Sequence, residues 1–193
     1  MEFRTLGKTG FKISEVSLGT WQLGGKWGAS YNEKDAADTL EAAYEHGVNF
    51  FDTADGYQDG LSKREVGRLL KKHPDVRYST KVGRKEMPLS VDHFTPKAVR
   101  RYVENCLKNL DVDSLDQVLL HCPPMSIYYQ PETFFELDKL KKEGLIRNYG
   151  VSVERVEEGI KALQYDISSV EIIFNMFRLR PAELFFDLAK QHN

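Results

Sequence analysis

The stretch VNFFDTADGYQDGLSKREVGRLLKKH, Val48 to His73, passes from an apolar run through a glycine-bearing loop into a helix-forming segment. Val48–Ala54 predicts a strand, and residues 62–73 predict a helix, with Ser62 in the cap position and Pro74 just beyond its end. Phe50 and Phe51 run directly into Asp52, and Tyr57 follows in a loop holding Gly56 and Gly60. A solvated loop needs neither an apolar pair feeding a carboxylate nor a tyrosine presented just beyond it.

The same order recurs on both sides. Residues 2–14 read as two short strands joined by a glycine-containing turn. Val16–Trp21 is a strand, and residues 32–47 a helix with Asn32 as N-cap and Gly47 as its stop. Residues 76–83 form a strand, followed by a helix capped by Thr95 with Pro96 in its first turn. Strands over residues 115–122, 146–153 and 168–175 alternate with helices closed by Gly144, spanning 153–164, and running from 180 to 193. Such alternation predicts βα units and a parallel sheet, because parallel neighbours need a crossover connection. The runs QVLL and VEIIF are nearly continuously apolar, as for strands covered on both faces. No linker or composition shift divides the chain, so residues 1–193 read as one domain. The dinucleotide fingerprint GxGxxG is missing after the first strand, which disfavours an open doubly wound sheet. The expectation is an α/β fold of the (β/α)8 TIM-barrel type with an N-terminal hairpin.

Composition bounds the function. The chain has 193 residues, 41% hydrophobic and 29% charged, with a formal net charge of -2. That balance argues against nucleic acid or an anionic membrane as the main partner. Its apolar runs fall far short of the roughly 20 residues of a spanning helix, and the N-terminus lacks a signal-peptide core. Cys106 and Cys122 have neither metal-ligand spacing nor the density of a disulfide scaffold. No metal site is expected, and a cytoplasmic location is.

On a barrel, strand C-terminal ends converge on one face, where barrel enzymes place their sites. Asp52, Lys81, His121 and Ser152 stand at successive strand ends, Tyr57 lies in the loop after the second main strand, and Glu171 with Asn175 falls in the sixth. A lysine beside a tyrosine favours the phenolate and should bring its pKa down towards neutrality. Asp52 can keep Lys81 charged, His121 can hydrogen-bond a carbonyl oxygen, and Tyr57 can exchange its proton. A carbonyl protonated by Tyr57 still needs a hydride, which no side chain supplies and a nicotinamide does.

At these residues the sequence resembles the aldo-keto reductase family over essentially its whole length. The segments RTLGKTGFKISEVSLGTW, NFFDTADGYQDG, STKVG, LDQVLLHCPP, LKKEGLIRNYGVS and VEIIFN follow the family's order. The resemblance implies a catalytic tetrad of Asp52, Tyr57, Lys81 and His121 and a small-molecule carbonyl substrate. It also implies NADPH bound without a Rossmann motif, through Gly19, Thr20, Trp21, Asp52, Ser152 and Glu171. Two positions depart from the family pattern: Val153 replaces a common Asn and Glu171 a common Gln, both of which usually hold the nicotinamide carboxamide. Trp21, Trp27, Met125, Tyr128 and Tyr129 are expected to line the substrate pocket.

Two alternatives accompany this reading. One is a cofactor-binding regulatory subunit of the same fold with little turnover, and the other is a barrel enzyme using Lys81 as a Schiff base. The barrel typically takes about 250 residues, so a chain of 193 with some six βα units is expected to lack the last two. With them would go much of the phosphate grip, leaving open edges through which the chain could self-associate.

Overall fold

The computed structural model describes residues 1–25 and 30–192. Strands β1 (Phe3–Thr5) and β2 (Lys12–Ser14) form an antiparallel hairpin. Six further strands follow: β3 (Leu18–Gly19), β4 (Phe50–Ala54), β5 (Arg77–Val82), β6 (Leu115–His121), β7 (Ile146–Val153) and β8 (Ser169–Ile172). They form one parallel sheet in sequential order, β3-β4-β5-β6-β7-β8. Between them run α1 (Glu33–Glu45), α2 (Leu61–Lys72), α3 (Pro96–Leu110), α4 (Pro131–Lys142) and α5 (Val156–Ala162), and α6 (Arg180–Leu184) and α7 (Phe186–Gln191) end the chain. The sheet curls as a barrel does: β3 and β8, its two edges, line a single cavity of about 340 Å³ through Gly19 and Glu171. Among the described residues no helix is long and apolar enough to cross a membrane.

Parallel pairing puts partnered residues on the same face, and that parity divides the sheet chemically. Gly19 pairs with Asp52 and Asp52 with Ser79. Lys81, Leu119, Gly150 and Ser169 form one row, and His121, Ser152 and Glu171 the next. All of these stand on the concave face. The opposite face carries Phe51, Tyr78, Val82, Val118, Leu120, Tyr149, Val151 and Val153, all buried in the hydrophobic core under the helices. The core therefore lies between sheet and helices, and the concave face carries the charged and polar side chains together with Phe50 and Leu119.

Local signals terminate the helices as the sequence suggests. The Asn32 side chain accepts from the Asp35 N–H, and Thr95 from that of Ala98, with Pro96 in the first turn. Gly47 and Gly144 leave their helices in the left-handed region, at φ 87° and 79°. Four expectations need correction. Ser62 is not a cap, because α2 begins at Leu61 and the Ser62 hydroxyl is buried against Thr20, 2.7 Å from its Oγ1. The first parallel strand is confined to Leu18–Gly19. Asn175 lies beyond β8, in an isolated bridge with Arg178. The final helix is divided at Phe185, which is buried.

The hairpin covers the N-terminal end of the sheet. Asn49, just before β4, accepts from the Ser14 N–H at 2.7 Å and donates through Nδ2 to the Lys12 carbonyl at 3.1 Å. On the helical side, α2 and α3 meet closely: the Lys63 ammonium donates to Cys106 Sγ at 2.8 Å, both groups being buried. Gly67 faces the end of α3, where an added Cβ would stand 2.3 Å from the Leu110 carbonyl oxygen. Gly67→Ala should therefore destabilise the fold by roughly 1–2 kcal/mol, the overpacking outweighing a gain of about 1 kcal/mol in helix propensity. A urea denaturation midpoint below wild type checks this.

Candidate active site

Asp52 points from the middle of β4 into the concave face, and two neighbours on β5 meet its carboxylate. Ser79 donates its hydroxyl to Asp52 Oδ1 at 2.6 Å, and the Lys81 ammonium donates to Oδ2. Lys81 also lies 3.3 Å from Glu171 Oε1 across the curl of the sheet. Its side chain is 3% exposed and that of Asp52 18%. Burial disfavours the ammonium, but Asp52, Glu171 and Tyr57 outweigh it, and the Lys81 pKa is raised. Lys81 is a cation at every working pH.

Tyr57 is placed by an unusual loop. Gln58, Asp59 and Gly60 all adopt positive φ, at 48°, 51° and 88°. Two of the three are not glycine, a conformation that costs energy and persists only where its surroundings enforce it. The loop carries the Tyr57 ring to within 5.5 Å of Lys81 Nζ and 6.3 Å of the His121 ring, which it meets edge-on at 84°. Burial raises the Tyr57 pKa and Lys81 pulls against it, while Asp52 and Glu171 push it further up. The net shift is upward, against the expectation that Lys81 would bring it down. Tyr57 is a protonated phenol at neutral pH.

His121 closes β6, and the chain leaves it through Cys122 at φ 50°. Burial and the nearby Lys81 and Arg84 charges lower its pKa from 6.5 to about 3. The imidazole is therefore neutral, and its buried Nδ1 lacks a partner among the described residues. Ser152 on β7 donates to Glu171 Oε1 at 3.1 Å. Burial and Asp52 raise the Glu171 pKa, although Lys81 and Ser152 oppose the shift.

Tyr57, Lys81, His121, Ser152 and Glu171 thus line one cavity of about 440 Å³, with Asp52 beneath it holding Lys81. Thr20 is turned the other way: its N–H and its hydroxyl both donate to the Asp52 carbonyl at 2.9 Å. Gly19 faces open space and Trp21 is exposed. The expected aromatic wall is not assembled here. Tyr128 is fully buried, Met125 and Tyr129 are exposed outside the cavity, and Trp27 lies outside the described residues. Val153, Ile172, Ile173 and Phe174 supply the apolar lining instead. Sequence reasoning also passed over Ser79 and Asp55. Asp55 anchors the end of β5 twice, its N–H donating to the Lys81 carbonyl at 2.9 Å and its carboxylate accepting from the Gly83 N–H at 3.0 Å. Ser79 was legible by strand parity, two residues before Lys81.

Lys81→Met should cost about 3–5 kcal/mol, because it strands a largely buried carboxylate. The Asp52→Asn/Lys81→Met double variant should recover most of that loss, as read from paired urea melts.

The model of the Aldo/keto reductase family matches residues 15–193. The NADH-specific methylglyoxal reductase of Escherichia coli (strain K12) is 32% identical over 182 residues, covering 84% of this chain and 56% of that protein. The holo form of an aldo-keto reductase from Bacillus halodurans superposes with a TM-score of 0.86 at 30% identity, covering 100% of this chain and 63% of that one. An aldo/keto reductase from Klebsiella pneumoniae, solved with NADP and acetate, gives a TM-score of 0.80 at 26% identity, covering 96% and 63%. The chain spans about half the length of the curated relatives it matches. Matched along nearly all its residues by the family model and over its whole length by a solved member, the chain belongs to the aldo/keto reductase family.

Proposed function

We propose that this chain provides the reducing site of a nicotinamide-dependent carbonyl reductase, with Tyr57 as proton donor and an aldehyde or ketone as substrate. The observation that carries the reading is the meeting of a protonated Tyr57, a permanently charged Lys81 and a neutral His121 in one cavity. The neutral His121 ring has an N–H to offer a carbonyl oxygen and holds it beside Tyr57. The Tyr57 phenol then gives its proton to that oxygen as negative charge develops there. The Lys81 ammonium steadies the resulting phenolate, and Asp52 keeps that ammonium in place. A bound nicotinamide supplies the hydride.

Two features suit such a cofactor. The Ser152 hydroxyl and the Glu171 carboxylate stand together on adjacent strands, offering a carboxamide one donor and one acceptor. The cavity also opens at the strand C-terminal ends, the face on which barrel enzymes bind their ligands. NADPH is the form proposed, on the family resemblance. One relative is named as NADH-specific and another was solved with NADP, so both forms belong in the assay.

Tyr57→Phe should lower the rate of NADPH oxidation with a panel of aldehydes by about 10²–10⁴-fold, the usual worth of a positioned proton donor. Turnover of the variant at the wild-type rate would point instead to another donor, and negligible turnover by the wild type to a binding subunit. A second outcome follows from Glu171, whose charge raises the Tyr57 pKa. Reduction requires the phenol, so the rate falls as pH rises through that pKa. Glu171→Gln removes a negative neighbour, lowers the pKa, and should move the alkaline limb of the kcat profile to lower pH.

A further inference from the structure

We propose that Arg84 selects a carbonyl substrate that carries a carboxylate, binding it in exchange for Glu154; the proposal rests on the reductase reading above. Arg84 follows Gly83, where the chain turns out of β5 at φ 100°, and it lines the same cavity of about 440 Å³ as Tyr57, Lys81 and His121. Of the two cations lining that cavity, Lys81 is engaged by two carboxylates, Asp52 and Glu171. Arg84 makes one bond to a carboxylate, from Nη1 to Glu154 Oε1 at 2.9 Å. Its guanidinium carries five N–H donors in a planar fork that matches a carboxylate.

The Glu154 contact is an exchangeable one. Its two side chains are 33% and 51% exposed, and ion pairs of that kind are worth about 0–1 kcal/mol. Glu154 can swing into water while a substrate carboxylate takes its place, with no change in the charge facing Arg84. Glu154 lines the same cavity, so the exchange takes place within it, beside the apolar side chains of Val153, Ile172, Ile173 and Phe174. Arg84 is also close enough to His121 to help hold that ring neutral. A carboxylate on Arg84 would therefore place a nearby carbonyl beside His121 and Tyr57, the geometry of a short 2-oxo acid or semialdehyde. A substrate in this position has its charged end fixed before its carbonyl is reduced.

The experiment compares kcat/KM for glyoxylate, which has a carboxylate, with that for uncharged methylglyoxal. In Arg84→Gln the ratio of the two should fall about 10- to 100-fold, the loss of one charge-assisted hydrogen-bonded contact. Arg84→Lys should restore part of it, since an ammonium keeps the charge but not the fork. Glu154→Gln should raise the ratio by removing the competing carboxylate. A ratio unchanged in Arg84→Gln overturns the proposal. Binding of oxamate, an inert carboxylate-bearing analogue, is followed in parallel by saturation-transfer NMR without cofactor. It should weaken about tenfold in Arg84→Gln; equal binding, or none by the wild type, also overturns the proposal. If the wild type reduces neither aldehyde, the reductase reading falls, while the oxamate titration still decides whether Arg84 holds an anion.

Discussion

The Lys81 ammonium, 3% exposed, is balanced by two carboxylates, and the concave face of this sheet is organised around that pairing. Asp52 on β4 and Glu171 on β8 approach Lys81 from opposite sides, which is possible only because the sheet is curled. Ser79 takes up the other oxygen of Asp52, and Ser152 bonds to Glu171. The charge so trapped acts on its neighbours: it pulls the Tyr57 pKa down against burial and opposes protonation of His121. Burial and this cation together set the state of both groups that would face a substrate: burial keeps Tyr57 a phenol against the pull of Lys81, and both act to keep His121 neutral.

Glu171 is a second carboxylate on Lys81. A neutral Gln at position 171 would leave Asp52 alone to balance the ammonium. Here Glu171 adds negative charge, raising Lys81 and Tyr57 together. Both shifts keep the two groups protonated at neutral pH, the state a proton donor starts from.

Much of this was readable in advance, and the failures share a cause. Asn32, Thr95, Gly47 and Gly144 act within one turn of their own position, so local chemistry suffices to read them. Ser62 carries the same local signal as a cap, but its partner Thr20 lies 42 residues away. Tyr128 and Tyr129 are adjacent and chemically alike, yet one is fully buried and the other 66% exposed, because neighbours on the short 3-10 turn containing them are about 120° apart. The Tyr57 pKa was misjudged for a similar reason: the lysine beside it is visible in the sequence, and the depth of its burial is not. The concave face was legible in principle. Gln117, Leu119 and His121 on β6, and Asn148, Gly150 and Ser152 on β7, alternate with the apolar core positions. That alternation is hidden where the inward residue is itself apolar, as at Leu119, so the strand reads as one covered on both sides.

The contacts among Thr20, Asp52 and Ser62 bear on how Tyr57 is held. Thr20 grips the Asp52 carbonyl, Ser62 grips Thr20, and Thr53 Oγ1 lies 3.4 Å from Ser62 Oγ, nine residues further on. The segment carrying Tyr57 is therefore a short loop pinned at both ends, its root at β4 and its return at α2. The conformational entropy of closing such a loop is lost once, when the chain folds. None of it remains to be lost when a substrate arrives, so the phenol meets its target already ordered.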